Sequence, residues 1–288
     1  MATENSSLTS IVMVSYHTGE VLSQAMASVL AQTENIELCL IDNGNPQAVM
    51  ARIRDMTNAD PRIHFVTGHG NVGFSRGCNI GARMTKGEHI LFLNPDSILP
   101  PDAIAKLKYH GAGLRRPWML GARLLDEHGQ DQRGCRRALL TPKTAFIEAL
   151  HLGTLFPKVR LNFNKEPIPE RITPMPAISG AFMFLPRTDF WAINGFDEDY
   201  FLHVEDMDLC LRFRRAGGEI YFAPDIAVKH IGGTSKVTKV FIEKHKTNGF
   251  IRYFHKNFGN QYPAPLLWLL DAAIYMRMWV KLGMAALK

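Results

Sequence analysis

The stretch FLHVEDMDLCLRFRRAG, residues 201–217, places three carboxylates, Glu205, Asp206 and Asp208, ahead of Arg212, Arg214 and Arg215. Like charges set this close raise one another's proton affinity, so one of the carboxylates can serve as a general base. The same residues admit a structural role. Leu209, Phe213 and Ala216 recur at i, i+4 and i+7, which predicts an amphipathic helix stopped by Gly217. Acidic groups favour the positive end of a helix, and Asp208 can pair with Arg212 one turn on. Taken alone the stretch favours capping, and the choice turns on what the rest of the chain brings to it.

Other polar clusters follow strands. SIVMVS, IELCLID, RIHFVT and HILFLN are short apolar, β-branched runs, and residues 20–32, 46–58 and 74–85 between them read as helices. Strands alternating with helices imply an α/β fold with a parallel sheet covered on both faces. Such sheets bind ligands beyond the carboxyl ends of their strands. The residues there are YHTGE after the first strand, DNGN after the second and NPD after the fourth. Each is an ordinary loop on its own; together they point to one ligand crevice. GHGNVGFSRGCNIG, after the third strand, carries five glycines that allow backbone to approach a ligand closely. It is not a GxGxxG, and it follows the third strand, so a dinucleotide site is a poor match.

A chain of 288 residues with 46% apolar content suits one large domain, or a domain with an appendage. Residues 1–9 read as a flexible tail without a secretory signal. Cys39, Cys78, Cys135 and Cys210 form no CxxC pair, which points to a reducing compartment, and Cys39 and Cys210, in apolar runs, read as small core residues. The charge of +6 favours an anionic partner, but no zinc finger, RNA-binding signature or basic heptad arm is present, so nucleic acid is not expected. Residues 133–176 are basic, proline-bearing and irregular, either a substrate-facing insertion or a variable surface loop. AISGAFMFLP returns to strand character, GEIYFAPDIAVKHIGG gives one or two further strands ending at His230, and residues 237–258 read as a helix.

The last segment, PAPLLWLLDAAIYMRMWVKLGMAALK, sets Arg277, Lys281 and Lys288 within roughly 40° on a helical wheel. That basic stripe, with Trp268 and Trp279, suits a helix lying in an anionic membrane interface; the alternative is packing on the main domain or on a homodimer partner.

Read in order, SIVMVSYHTGE, IDNGN, NVGFSRGCNIG, LFLNPDSIL, SGAFMFLPR, NGFDEDYFLHVEDMDLCLRFRRAGGEIYFAP and KHIGG resemble glycosyltransferase family 2 with the GT-A fold, and within it the rhamnosyltransferase-like branch of bacterial surface polysaccharide synthesis. The resemblance implies a GT-A domain over residues 10–234, residues 133–176 facing the acceptor, and C-terminal helices over residues 235–288 at the membrane interface. It implies inverting transfer of a sugar, L-rhamnose from dTDP-L-rhamnose by first choice, onto a polyprenyl-diphosphate-linked saccharide, with Mg2+ or Mn2+, at the inner face of the cytoplasmic membrane. It assigns Asp206 as the base and Glu205 as an orienting or acceptor-side group, with Gly180 also on the acceptor side. Asp96 becomes a metal ligand with His230, while Asn94 stands where many relatives carry an aspartate. Ser15, Tyr16, Asp42, Gly73, Arg76, Asn79, Asn94 and Asp96 become nucleotide-sugar residues. A carboxylate at Asp42 would accept from a pyrimidine N3–H, which favours dTDP- or UDP-sugars over CMP-sugars. Arg76 would partly offset the missing charge at Asn94. Competing readings are a UDP-sugar donor (UDP-GlcNAc, UDP-glucose or UDP-galactose), a catalytically degenerate scaffold suggested by Asn94, and, least favoured, a nucleotidyltransferase.

Overall fold

The computed structural model describes residues 7–149, 161–234 and 237–286. The tail expected over residues 1–9 lies outside the described residues up to residue 6. Strands β1 (Thr9–Ser15) and β2 (Ile36–Asp42) are buried at every position, as continuous apolar strands covered on both faces must be. With β3 (Ile63–Val66) and β4 (His89–Leu93) they form a parallel half-sheet in the order β3-β2-β1-β4. Helices α1 (Val21–Leu30), α2 (Gln47–Ala59) and α3 (Phe74–Met84) connect them.

Two of the five clustered glycines serve packing rather than a ligand. A Cβ on Gly77 would sit 2.9 Å from Val14 Cγ1, and one on Gly81 2.4 Å from Val12 Cγ1, so their spacing lets α3 lie directly on β1. Only Gly73, with φ +84°, belongs to the crevice.

The second half of the sheet is mixed. β10 (Phe182–Pro186) runs antiparallel to β4 and to β6 (Trp118–Leu125). β11 (Glu219–His230) is parallel to β6 and pairs at its end with the two-residue β5 (Ser97–Ile98). Pro224, which has no N–H to donate, lies where the β11 register breaks between Ala223 and Ala227. Helices α4 (Ala103–Ala112) and α6 (Arg187–Ala192), like β6, are elements not expected from the sequence pattern.

The segment 133–176 is tied down where it is described. β7 (Arg136–Arg137) pairs with β9 (Ala177–Ile178), α5 spans Pro142–Ala149, and β8 (Thr173–Pro174) adds to β11. Residues 150–160 of the expected acceptor-facing segment lie outside the described residues. All four cysteines are free and buried.

Helix α7 (Glu205–Arg215) is followed, after β11, by α8 (Lys239–Phe258) and α9 (Ala264–Ala286). The expected break near residue 235 is not a physical one, because α8 packs into the core. Tyr253 is buried and donates to Leu140 O at 2.8 Å, and a Cβ on Gly249 would lie 3.0 Å from His203 O. α9 is turned inside out relative to the sequence expectation. Arg277 and Lys281 face inward to Glu243 on α8, at 2.9 and 3.3 Å, and Asp271 pairs with His255. Trp268, Leu269, Tyr275, Met276, Trp279, Val280 and Met284 point outward, Trp279 67% exposed. The stripe turns inward because Glu243 is only 14% exposed and attracts both cations. Lys288 lies outside the described residues. Among the described residues no helix is long and apolar enough to cross a membrane.

Candidate functional site

A cavity of about 390 Å³ opens where the carboxyl ends of β1 and β4, the start of α3, the start of α7 and the end of β11 converge. Tyr16, Gly73, Asn94, Asp96, Gly180, Glu205, Asp206 and His230 all line it.

On the β4–β11 side, pairing of His230 with Ser97 sets the histidine beside Asp96, and Ile231 N donates to Asp96 O at 3.1 Å. Gln132 fixes the ring: its amide nitrogen donates to His230 O, which leaves Oε1 to accept from His230 Nδ1–H at 2.6 Å. The other ring nitrogen, Nε2, then lies 3.2 Å from Asp96 Oδ1 and 3.1 Å from Asn94 Nδ2. Asp96 Oδ1 is buried without a hydrogen bond, while Oδ2 accepts from Thr234 Oγ1 at 3.0 Å. Burial opposes ionisation of Asp96, but its contacts with His230 and Thr234 outweigh it and hold the carboxyl below its ordinary range. A carboxylate oxygen and an imidazole nitrogen side by side are both groups that a divalent ion accepts as ligands. The pair therefore fits one edge of such a site. Among the described residues no three His, Cys, Asp or Glu side chains converge, so the protein supplies few ligands there.

On the α7 side the backbone is held in an unusual turn. His203 and Val204 both have positive φ, 69° and 73°, a costly conformation for a β-branched residue. The turn is locked over the start of α3, where Phe74 N donates to Phe201 O at 2.7 Å and any Cβ on Gly73 would lie 2.6 Å from that oxygen. It delivers Glu205 and Asp206 into the cavity. Asp206 Oδ2 accepts from Arg137 Nη2 and from Gly180 N at 3.0 Å, and Oδ1 accepts from Met207 N at 2.8 Å. Burial opposes its charge, yet Arg137 and the two N–H donors win and keep Asp206 ionised below the usual carboxylate range. Glu205 is 8% exposed and its Oε2 has no partner. Burial, and then the charge of Asp206, push its carboxyl up to about 8. At neutral pH the two therefore hold one proton between them, Glu205 as acid and Asp206 as anion.

Asp208 stands apart: it is fully buried and accepts from Arg212 Nε at 2.6 Å, Lys256 Nζ at 2.9 Å and Asn257 Nδ2 at 3.0 Å, a structural role. Several expected nucleotide residues are engaged elsewhere. Asn79 is buried and clamps the loop before α7, donating to Phe196 O at 2.8 Å and accepting from Phe196 N at 3.0 Å, and it is not part of the cavity wall. Arg76 is 59% exposed beside Glu198 and is not part of the cavity wall. Asp42 spends Oδ1 on Asn45 and Gly44 and Oδ2 on Thr67, and Ser15 is bonded to Thr18 and Asn45; both lie behind the wall.

Sequence reasoning missed Arg137, Gln132 and Asn43. Asn43, inside the DNGN cluster, does line the cavity and donates to Gly73 O at 3.0 Å. Arg137 and Gln132 act through contacts 69 and 98 residues away in the chain, which no local pattern signals.

Residues 10–110 match the sequence model of the family described as glycosyl transferase family 2, and residues 168–256 that described as N-terminal domain of galactosyltransferase. The first of these is the family the motifs resemble, and the fold is the GT-A fold they imply. Among its relatives, the rhamnosyltransferase WbbL of Escherichia coli (strain K12) is 25% identical over 232 residues, 76% of this chain and 82% of that protein. The N-acetylglucosaminyl-diphospho-decaprenol L-rhamnosyltransferase of Mycobacterium tuberculosis is 24% identical, covering 93% of this chain and 90% of that one. Among solved structures, GalNAc-T7 with UDP, GalNAc and Mn2+ superposes with a TM-score of 0.61 at 15% identity, over 88% of this chain and 48% of that one. The mannosyltransferase PcManGT of Pyrobaculum calidifontis, in complex with GDP-Man and Mn2+, gives 0.59 at 14% identity, over 94% and 69%.

Proposed function

We propose that this protein transfers a sugar, with inversion, from a nucleoside diphosphate donor to a hydroxyl of a polyprenyl-diphosphate-linked saccharide in bacterial surface polysaccharide assembly. The carrying observation is one cavity holding two separate devices, the ionised Asp206 and the Asp96–His230 pair. An inverting displacement needs both: a group to take the acceptor proton, and a means of stabilising the departing diphosphate. Asp206 accepts the hydroxyl proton as the acceptor oxygen attacks the anomeric carbon and the bond from that carbon to the diphosphate oxygen breaks. Arg137 and Gly180 hold the carboxylate in place, and the protonated Glu205 beside it adds no second negative charge. Mg2+ or Mn2+, held by Asp96 and His230, would neutralise charge growing on the diphosphate. Tyr16 and Asn43, which line the cavity, take the nucleotide side in this reading.

L-Rhamnose from dTDP-L-rhamnose is the preferred donor, on the identity of the two curated relatives. Titration calorimetry with dTDP-L-rhamnose, UDP-GlcNAc, UDP-glucose and UDP-galactose tests it, with mass spectrometry of product formed on a lipid-linked acceptor. Binding of dTDP-L-rhamnose no tighter than that of the UDP-sugars removes the rhamnosyl assignment; absence of transfer from every donor removes the enzyme. The protein works as a peripheral protein on the inner face of the cytoplasmic membrane, and the outward apolar face of α9 with its two tryptophans is the membrane-contacting surface.

A further inference from the structure

Three cations gather on α8 and α9 near one carboxylate, Glu243, which directly follows the cavity-lining Ile242. Lys246 lies four residues after Ile242, which lines the cavity, and three before Gly249, which touches His203 and Val204 at the turn into Glu205. Those spacings put all three residues on one face of α8, so Lys246 sits beside the acceptor-side carboxylates. One turn back is Glu243, which takes both Arg277 and Lys281 from α9. Lys246 itself is half-buried and has no hydrogen bond or ion pair among the described residues. Burial, and then Lys281 and Arg277, pull its ammonium below its ordinary range, while Glu243 and Asp206 act the other way. His203, pushed down to about 4 by burial and by Lys246, is neutral and does not add to the charge. The cluster thus carries an excess of two positive charges over Glu243, in a place where a neutral surface would be simpler to build.

The next surface along is apolar. Tyr275, Met276, Trp279 and Val280 alternate with Arg277 and Lys281 on α9 and face outward while the two cations face α8. Carboxylates, cations and an apolar face therefore follow one another from the cavity outward. A sugar, a diphosphate and a hydrocarbon chain follow one another in the same order in a lipid-linked acceptor.

We propose that Lys246, Arg277 and Lys281 bind the diphosphate of the lipid-linked acceptor, with its sugar at Glu205–Asp206 and its hydrocarbon along the outward face of α9; the assignment rests on the acceptor class given under the proposed function. Glu243 keeps Arg277 and Lys281 in place between turnovers, and Lys246 supplies a charge that has no ion pair among the described residues.

The test measures binding to the full chain by intrinsic tryptophan fluorescence. One probe is a short prenyl diphosphate carrying N-acetylglucosamine, and the other is the same sugar on a neutral alkyl chain of equal length. The wild type is expected to bind the diphosphate probe at least tenfold more tightly. Lys246→Gln and Arg277→Gln should each weaken that probe about tenfold, the scale of one charged hydrogen bond, and leave the neutral probe unchanged. Lys246→Met, which keeps the stem, should behave as Lys246→Gln with an unaltered melting temperature. Equal affinity of the wild type for the two probes overturns the proposal, as does equal weakening of both probes by Lys246→Gln. Vesicles of phosphatidylglycerol provide the last arm: if Lys246→Gln loses vesicle binding in parallel with diphosphate binding, the cluster is a general headgroup site and the proposal is wrong. Loss of nucleotide-sugar binding by the wild type would instead sink the proposed function, so the two failures are distinguishable.

Discussion

Asp208 offers a prediction whose size follows from its surroundings. Its carboxylate is fully buried and accepts from Arg212, Lys256, Asn257 and Tyr200. Asp208→Asn keeps the shape and removes the charge, so Arg212, which is 20% exposed, loses its carboxylate. Lys256 retains Asp197 at 2.7 Å, which limits the damage on that side. Removing one member of a buried pair costs about 3–5 kcal/mol. A chain of this length unfolds with an entropy of roughly 0.6 kcal/mol per kelvin near its midpoint, so the melting temperature should fall by about 5–8 °C at pH 7. The pH dependence follows from direction. Burial raises the Asp208 pKa, but Arg212 and the hydrogen-bonding partners outweigh it and depress it in the folded chain, so its contribution is present above the unfolded pKa and is lost as pH falls through the folded one. Differential scanning calorimetry of both proteins from pH 7 to pH 3 measures this. A fall under 1 °C at pH 7, or a gap that stays constant as the acid range is entered, would show that Asp208 is not the charged hub of this network.

Asp206→Asn should lower kcat by about 10²–10⁴ with donor affinity intact, measured by steady-state transfer and calorimetry; near-normal turnover would move the base to another group. Asp96→Ala should abolish stimulation by Mg2+ or Mn2+, and an unchanged response to EDTA would exclude Asp96 as a ligand. Glu205 is raised in the folded chain, so its contribution to stability is present below its unfolded value of 4.5 and is lost as pH rises towards about 8. Glu205→Gln should therefore gain in melting temperature relative to wild type between pH 5 and pH 8; a flat difference contradicts the raised carboxyl. Trp268→Glu with Trp279→Glu should reduce sedimentation with vesicles while nucleotide-sugar binding in solution persists, and unchanged sedimentation would count against α9 as the membrane surface.

The parallel half-sheet was legible because each strand is a continuous apolar run and each crevice cluster sits at a strand end, where the fold must place it. Asp96 reaches the cavity for the same reason, after β4, whereas Glu205 and Asp206 start α7 and were singled out by the motif resemblance. What escaped was long-range. Asn79 looks like a polar residue on a glycine-rich loop, and only the distant Phe196 backbone reveals it as a clamp. Arg137 belongs to an irregular basic stretch, and its contact with Asp206 exists because β7 pairs with β9 beside α7. The α9 stripe was read correctly as lopsided but facing the wrong way, since a helical wheel shows two faces and cannot say which one meets Glu243.

The reversed α9 has a practical consequence for handling the protein. Its outward face, from Trp268 to Met284, is dominated by large apolar side chains, with Lys281 drawn aside to Glu243, so little repels a second copy in dilute buffer. Self-association through that face strengthens in sulfate, as apolar contacts do, while the inward Glu243 pairs are weakened by the same ions. On a bilayer bound through that face as proposed, a high-salt wash would fail to strip the protein and would loosen the α8–α9 seam instead, whereas a mild detergent covering the tryptophans would release it.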